Sequence, residues 1–191
     1  IRIVEIDAAR PVDGALPGIA VQPGNKVDGL NSQPWLSSNN MGRMADVMAA
    51  DLVRLAPAEK PTIETNLAAL KQRLLKFSAD SEARLASADN LSVMSLSDHF
   101  GYLVGSLNLE LIGVDARPDA EWTPESLKQL TATLKDNDVA VVMHHRQPSD
   151  AVKAAITEAG SRLVVLSIDA ADPVAELEGN VDLVIKGLSG A

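Results

Sequence analysis

The chain has 191 residues, with 26 acidic against 17 basic side chains, three histidines, no cysteine and a formal net charge of -9. Without cysteine there is no disulfide framework, thiolate metal site or cysteine nucleophile, and the acidic balance argues against a nucleic-acid partner, which needs a basic face. Hydrophobic residues make up 46 %, enough for a packed core, and no apolar run reaches the roughly 20 residues of a membrane span.

Ile1–Asp7 alternates apolar and charged residues with period two, the pattern of a short strand. Ala8–Gln33 is rich in proline and glycine and reads as a long loop, a type that is usually functional or disordered. Ser37 or Ser38 caps the next helix. Its Met41, Met44, Ala45, Met48, Leu52 and Leu55 recur at spacings of three and four, which predicts one buried stripe. Beyond Pro57 and Pro61 a second helix is predicted over Thr62–Leu85, roughly 35 Å long at about 1.5 Å per residue. Ile63, Leu67, Leu70, Leu74, Phe77 and Leu85 mark its apolar face.

From Leu91 onward, short apolar runs alternate with helical stretches. The runs Leu91–Leu96, Leu109–Val114, Val139–Met143 and Leu163–Leu166 predict strands; Phe100–Leu107, Pro124–Asn137 and Ser149–Ala159 predict helices, with a short last helix near Val181–Leu188. Thr123-Pro124-Glu125-Ser126 is a strong helix start. Strands buried on both faces and alternating with helices imply a parallel α/β sheet.

Ligands of open α/β sheets sit at the carboxyl ends of the strands. Three such ends are polar: Ser97-Asp98-His99, His144-His145-Arg146-Gln147 and Ser167-Ile168-Asp169. His144 and His145 are adjacent, so in extended backbone they point to opposite sides and at most one faces a given site. Imidazole is the commonest nitrogen donor to zinc and iron; a solvated histidine pair is the plainer alternative. His99 is either a ligand or a packing group at a helix start, and Asp169 either a ligand or a loop acid. Gln33 and Ser97 are poor ligands in their own right, and Met41, Met44, Met48 and Met94 read as core. Gly-x-Ser-x-Gly, a phosphate-binding glycine loop and His-Glu-x-x-His are all absent. An α/β-hydrolase-like enzyme is therefore set aside.

Asn31-Ser32-Gln33-Pro34-Trp35-Leu36 is similar to the Asn-Pro-His-x-Trp-Leu motif of the zinc- and manganese-binding solute receptors of ABC importers (cluster A-I, ZnuA/TroA-like). Ala56-Pro57 with Glu64-Thr65-Asn66 resembles their Asp-Pro and Tyr-x-x-Asn. Ser97-Asp98-His99-Phe100-Gly101-Tyr102 resembles their His-Asp-Ala-Phe-Gly-Tyr, and Glu121-Trp122-Thr123-Pro124 their Glu-Pro-Ser-Pro. Val141–Gln147 falls where they have a strand ending in Glu-Pro-Gln, Leu166-Ser167 where they have Leu-Asp, and Asn180 with Leu188 resembles their final helix.

The resemblance implies an α/β receptor-type fold: a parallel βαβ C-terminal lobe, a long linking helix and a partial N-terminal lobe. The expected divisions are 1–61, 62–88 and 89–191. The chain opens on Ile1 without a signal peptide, and the expectation is a periplasmic protein beginning part-way through its first lobe. Carried over position by position, the family's second histidine is Gln33, its third Ser97, its glutamate His145 and its final aspartate Ser167, with Asp169 two residues on. The implied site is a rearranged one for zinc, manganese or iron, built from His144, His145 and Asp169 with Asp98 or His99, and from Gln33 and Ser97. The implied partner is a membrane permease, and no enzymatic activity is expected. The alternative is a receptor-like protein that binds a metal chelate, a siderophore or a partner protein and needs no bare-ion site.

Overall fold

The computed structural model describes residues 33–190; the predicted strand Ile1–Asp7 and nearly all of the predicted loop lie outside this range. Ser37 caps α1 (Ser38–Leu55), its side chain accepting from Asn40 N. A 3-10 turn at Pro57–Glu59 leads into α2 (Lys60–Leu85), a 26-residue helix about 39 Å long. Then follow β1 (Ser92–Ser95), α3 (Gly101–Ser106), β2 (Glu110–Val114), α4 (Pro124–Asp136), β3 (Val141–His144), α5 (Asp150–Glu158), β4 (Arg162–Val165) and α6 (Pro173–Ser189). The strands form one parallel sheet in the order β2-β1-β3-β4.

Strand alternation divides the core into two layers. Val93, Val141, Met143 and Val164 face one side, where Leu74 and Leu85 of α2, Leu103 of α3 and Leu177, Val181, Val184 and Ile185 of α6 cover them. Met94 and Val142 face the other, against Leu130 and Leu134 of α4 and Val152 and Ile156 of α5. Both faces are buried, as a parallel sheet with helical crossovers requires.

Local signals fix the helix starts. Thr123 and Ser126 bond reciprocally in a capping box: Ser126 N donates to Thr123 Oγ1 at 3.2 Å and Thr123 N to Ser126 Oγ at 2.9 Å. Ser149 caps α5, and Asp172 caps α6 by accepting from Val174 N and Ala175 N.

Two expectations are corrected. The last helix begins at Pro173, not near Val181, because the Asp172 cap and Pro173 in its first turn extend it two turns upstream. The α1 stripe is only partly core: Met41 is buried, but Met48, Leu52 and Leu55 are 44 %, 43 % and 45 % exposed. Only the start of α1 packs under the sheet-side core, while its later turns meet α2 along a shallow groove lined by Met48, Ala49, Leu52, Ile63, Leu67 and Leu70. Helix α2 is tied to α6 by Arg73–Glu178 and Arg84–Asp182 and to α1 by Lys71–Asp46.

Candidate metal site

Parallel strands end on the same edge, so β1, β3 and β4 deliver their following residues to one place. The ladder runs one residue past the strands, with Leu96 N donating to Met143 O and Leu166 N to His144 O, both at 2.8 Å. Ser97, His145 and Ser167 therefore come next along this edge. From outside the sheet a 3-10 turn, Pro34–Leu36, brings Gln33 to the same edge.

Ser97 is buried, and its Oγ lies 2.9 Å from His145 Nδ1 while accepting from His99 N at 3.4 Å. The His99 and His145 rings meet edge to face with centroids 5.0 Å apart. His99 Nδ1 lies 3.2 Å from Gln33 Nε2, and its Nε2 lies 3.5 Å from Asp98 Oδ1. The structure thus brings Gln33, Ser97, His99 and His145 together. Gln33 is only 9 % exposed, and its Oε1 is buried without a hydrogen-bond partner among the described residues. Exchanging the two ends of the amide leaves one of them unpaired all the same.

The His144 and His145 rings also meet, with centroids 4.9 Å apart and planes tilted by 59°, but their nitrogens are engaged differently. His144, 2 % exposed, sits at the end of β3, and its Nδ1 accepts from His145 N at 2.8 Å. That bond puts the proton of the neutral ring on Nε2, so His144 offers no lone pair without rearranging. Burial, then His145, then Arg146 push its pKa down to about 4. His145 is held below the ordinary histidine value by burial first and by His99 and Arg146 after it. Both rings are neutral at pH 7, the form that ligates metals. When His145 Nδ1–H donates to Ser97 Oγ, its Nε2 keeps the lone pair, the arrangement typical of a metal-bound histidine.

Ser167 is engaged elsewhere. Its Oγ donates to Glu176 Oε1 at 2.7 Å, its N donates to Asn180 Oδ1, and its carbonyl accepts from Asn180 Nδ2. Asp169 is exposed on the loop after β4. Among the described residues no three His, Asp or Glu side chains gather as they would around an ion, so the expected rearranged set of His144, His145 and Asp169 with Asp98 or His99 is not assembled. The reasons are that His144 Nδ1 is occupied by His145 N and that Asp169 is exposed on its loop. Sequence reasoning passed over Glu176; an acid in the first turns of a helix reads as a dipole partner.

A family model described as zinc-uptake complex component A, periplasmic, matches residues 4–182. The zinc-binding lipoprotein AdcA of Streptococcus pneumoniae is 27 % identical over 135 residues, 70 % of this chain. The chain spans about a quarter (27 %) of that relative's length. A crystal structure of ZnuA superposes with TM-score 0.74 at 25 % identity, over 96 % of this chain and 70 % of that one. FpvC of Pseudomonas aeruginosa in complex with Ni²⁺ superposes with TM-score 0.66 at 26 % identity, over 88 % and 70 %. The family comprises solute-binding proteins of ABC transporters, periplasmic or lipoprotein in type, and not enzymes. Among the described residues no helix is long and apolar enough to cross a membrane. From the match along nearly its whole length, this chain belongs to the zinc-uptake complex component A family of metal-binding receptors.

Proposed function

We propose that this chain is the metal-binding component of an ABC uptake system, handing a divalent transition-metal ion to a membrane permease from the periplasm. On this reading residues 1–61 belong to the first lobe, 62–88 form the linking helix and 89–191 the second lobe. The ion is held by His145 with His99 and Gln33. Ser97 orients His145, and His144 braces it through the backbone. Asp169 joins only by an inward movement of its loop. The observation that supports this most is the buried Gln33 Oε1, unpaired among the described residues, beside the imidazoles of His99 and His145. An unsatisfied buried acceptor costs about 1–3 kcal/mol, and a bound cation relieves that cost.

Two imidazoles and an amide carry no charge, and imidazole suits zinc, nickel and iron, whereas manganese favours carboxylates. Zinc or nickel is therefore the better fit, with iron next. Isothermal titration of the full chain with Zn²⁺, Ni²⁺, Fe²⁺ and Mn²⁺ tests this. Zn²⁺ binding that weakens at least tenfold in His145→Ala is the expected result, in line with losses at metal-supporting residues. Failure of the unmodified chain to bind any of the four ions refutes the proposal.

A further inference from the structure

Glu176 is the most heavily engaged buried acid of the described chain. It is 5 % exposed, and three donors converge on its two oxygens. Ser167 Oγ and Ala170 N reach Oε1 at 2.7 and 2.8 Å, and Trp35 Nε1 reaches Oε2 at 2.9 Å. Two of these donors belong to the loop after β4. The third belongs to the turn Pro34–Leu36, 141 residues away in sequence. That turn directly follows Gln33, whose side chain meets His99, and the loop begins at Ser167, at the same sheet edge as His145.

We infer that Glu176 is a positioning residue: a clasp that pins the Gln33 turn to the Ser167 loop and thereby sets the spacing across the candidate metal site. The inference rests on the reading of that site given above. Without the carboxylate, Ser167 keeps its two bonds to Asn180, but nothing described ties the tip of the loop at Ala170 to Trp35. A carboxylate suits the task because its two oxygens accept on both sides, and hydrogen bonds to an ionised acceptor are about twice as strong as neutral ones. Glutamine cannot replace it. Its single oxygen can serve the two donors at Oε1, but its amide N–H₂ then confronts the Trp35 N–H, donor against donor.

The test compares the unmodified full chain with Glu176→Gln, which preserves shape, and Trp35→Phe, which removes the N–H donor together with part of the ring's packing on the core. Amide hydrogen exchange is followed at residues 33–37, 166–171 and, as an internal reference, in β1 and β3. Both variants are expected to speed exchange about tenfold in the first two segments together, with the strands unchanged. The inference is overturned if Trp35→Phe leaves 166–171 as in the unmodified chain. It is equally overturned if the strands loosen as much as the loop, since Glu176 then holds the fold and not the site. In a second arm Zn²⁺ affinity is titrated, and Glu176→Gln is expected to weaken it about tenfold; an unchanged affinity speaks against the positioning role. If the unmodified chain binds no metal, the functional proposal fails, and the exchange arm alone still decides whether the clasp exists.

Discussion

Replacing Gly187 by alanine tests how closely α6 lies on the sheet. A Cβ built there falls 2.9 Å from both Val141 Cγ2 and Val164 Cγ2. Val141 is fully buried and Val164 nearly so, and each sits within a hydrogen-bonded strand. Neither methyl group can withdraw without moving a strand, so the helix must lift by several tenths of an ångström. Overpacking of this kind costs about 1–3 kcal/mol. Alanine gains about 1 kcal/mol over glycine in helix propensity, leaving a net loss of up to about 2 kcal/mol.

Gly179, in the same helix, supplies the control. It is exposed, and a Cβ there meets nothing within 4 Å, so Gly179→Ala keeps the propensity gain of up to about 1 kcal/mol. Urea unfolding monitored by circular dichroism reads both variants, with an unchanged slope showing that the unfolded state is unaltered. The midpoint should fall for Gly187→Ala and rise for Gly179→Ala. A Gly187→Ala chain at least as stable as the original would refute the close packing of α6 on β3 and β4.

The depressed pKa of His144 gives a stability window in metal-free protein. The unfolded ring binds its proton near pH 6.5 and the folded one only near 4, so stability falls as the pH drops through that interval and by no further amount below it. The total is roughly 3 kcal/mol at most, at 1.36 kcal/mol per pKa unit. Urea midpoints from pH 7 to pH 4 should decline less steeply in His144→Asn, whose side-chain oxygen can still accept from His145 N. Thr123→Ala removes one half of the capping box of α4 and should cost about 1 kcal/mol, again read by urea unfolding. In competition titrations Zn²⁺ should displace Mn²⁺; a chain that prefers Mn²⁺ would require a carboxylate ligand and contradict the neutral donor set.

The parallel sheet was legible because each strand is a short apolar run between turn residues, and a strand covered on both faces can hardly read otherwise. The start of α4 was equally plain, since Thr123, Pro124 and Ser126 act on their own backbone. Helix α1 misled because periodicity tells which residues share a face, not what lies opposite: Met41 and Met48 share a stripe, yet only Met41 meets the core. The proximity of Gln33, Ser97, His99 and His145 followed from strand-end position and from family resemblance. Glu176 had no such mark. Its role arises only when α6 returns to a turn at the far end of the described chain, and no local pattern encodes a hydrogen bond spanning 141 residues.

The long helix α2 has a mechanical consequence. After Pro61 it contains neither proline nor glycine, so it lacks the residues at which helices ordinarily kink. Any change of angle between α1 and the sheet is therefore confined to the joints at its two ends, around Pro57–Glu59 and around Ala86–Asn90. A rotation of about 10° at one joint would sweep the far end of a helix this long through about 7 Å. The salt bridges to Glu178 and Asp182 resist that sweep along one flank, so α2 acts as a stiff lever whose play is set at its fulcrums.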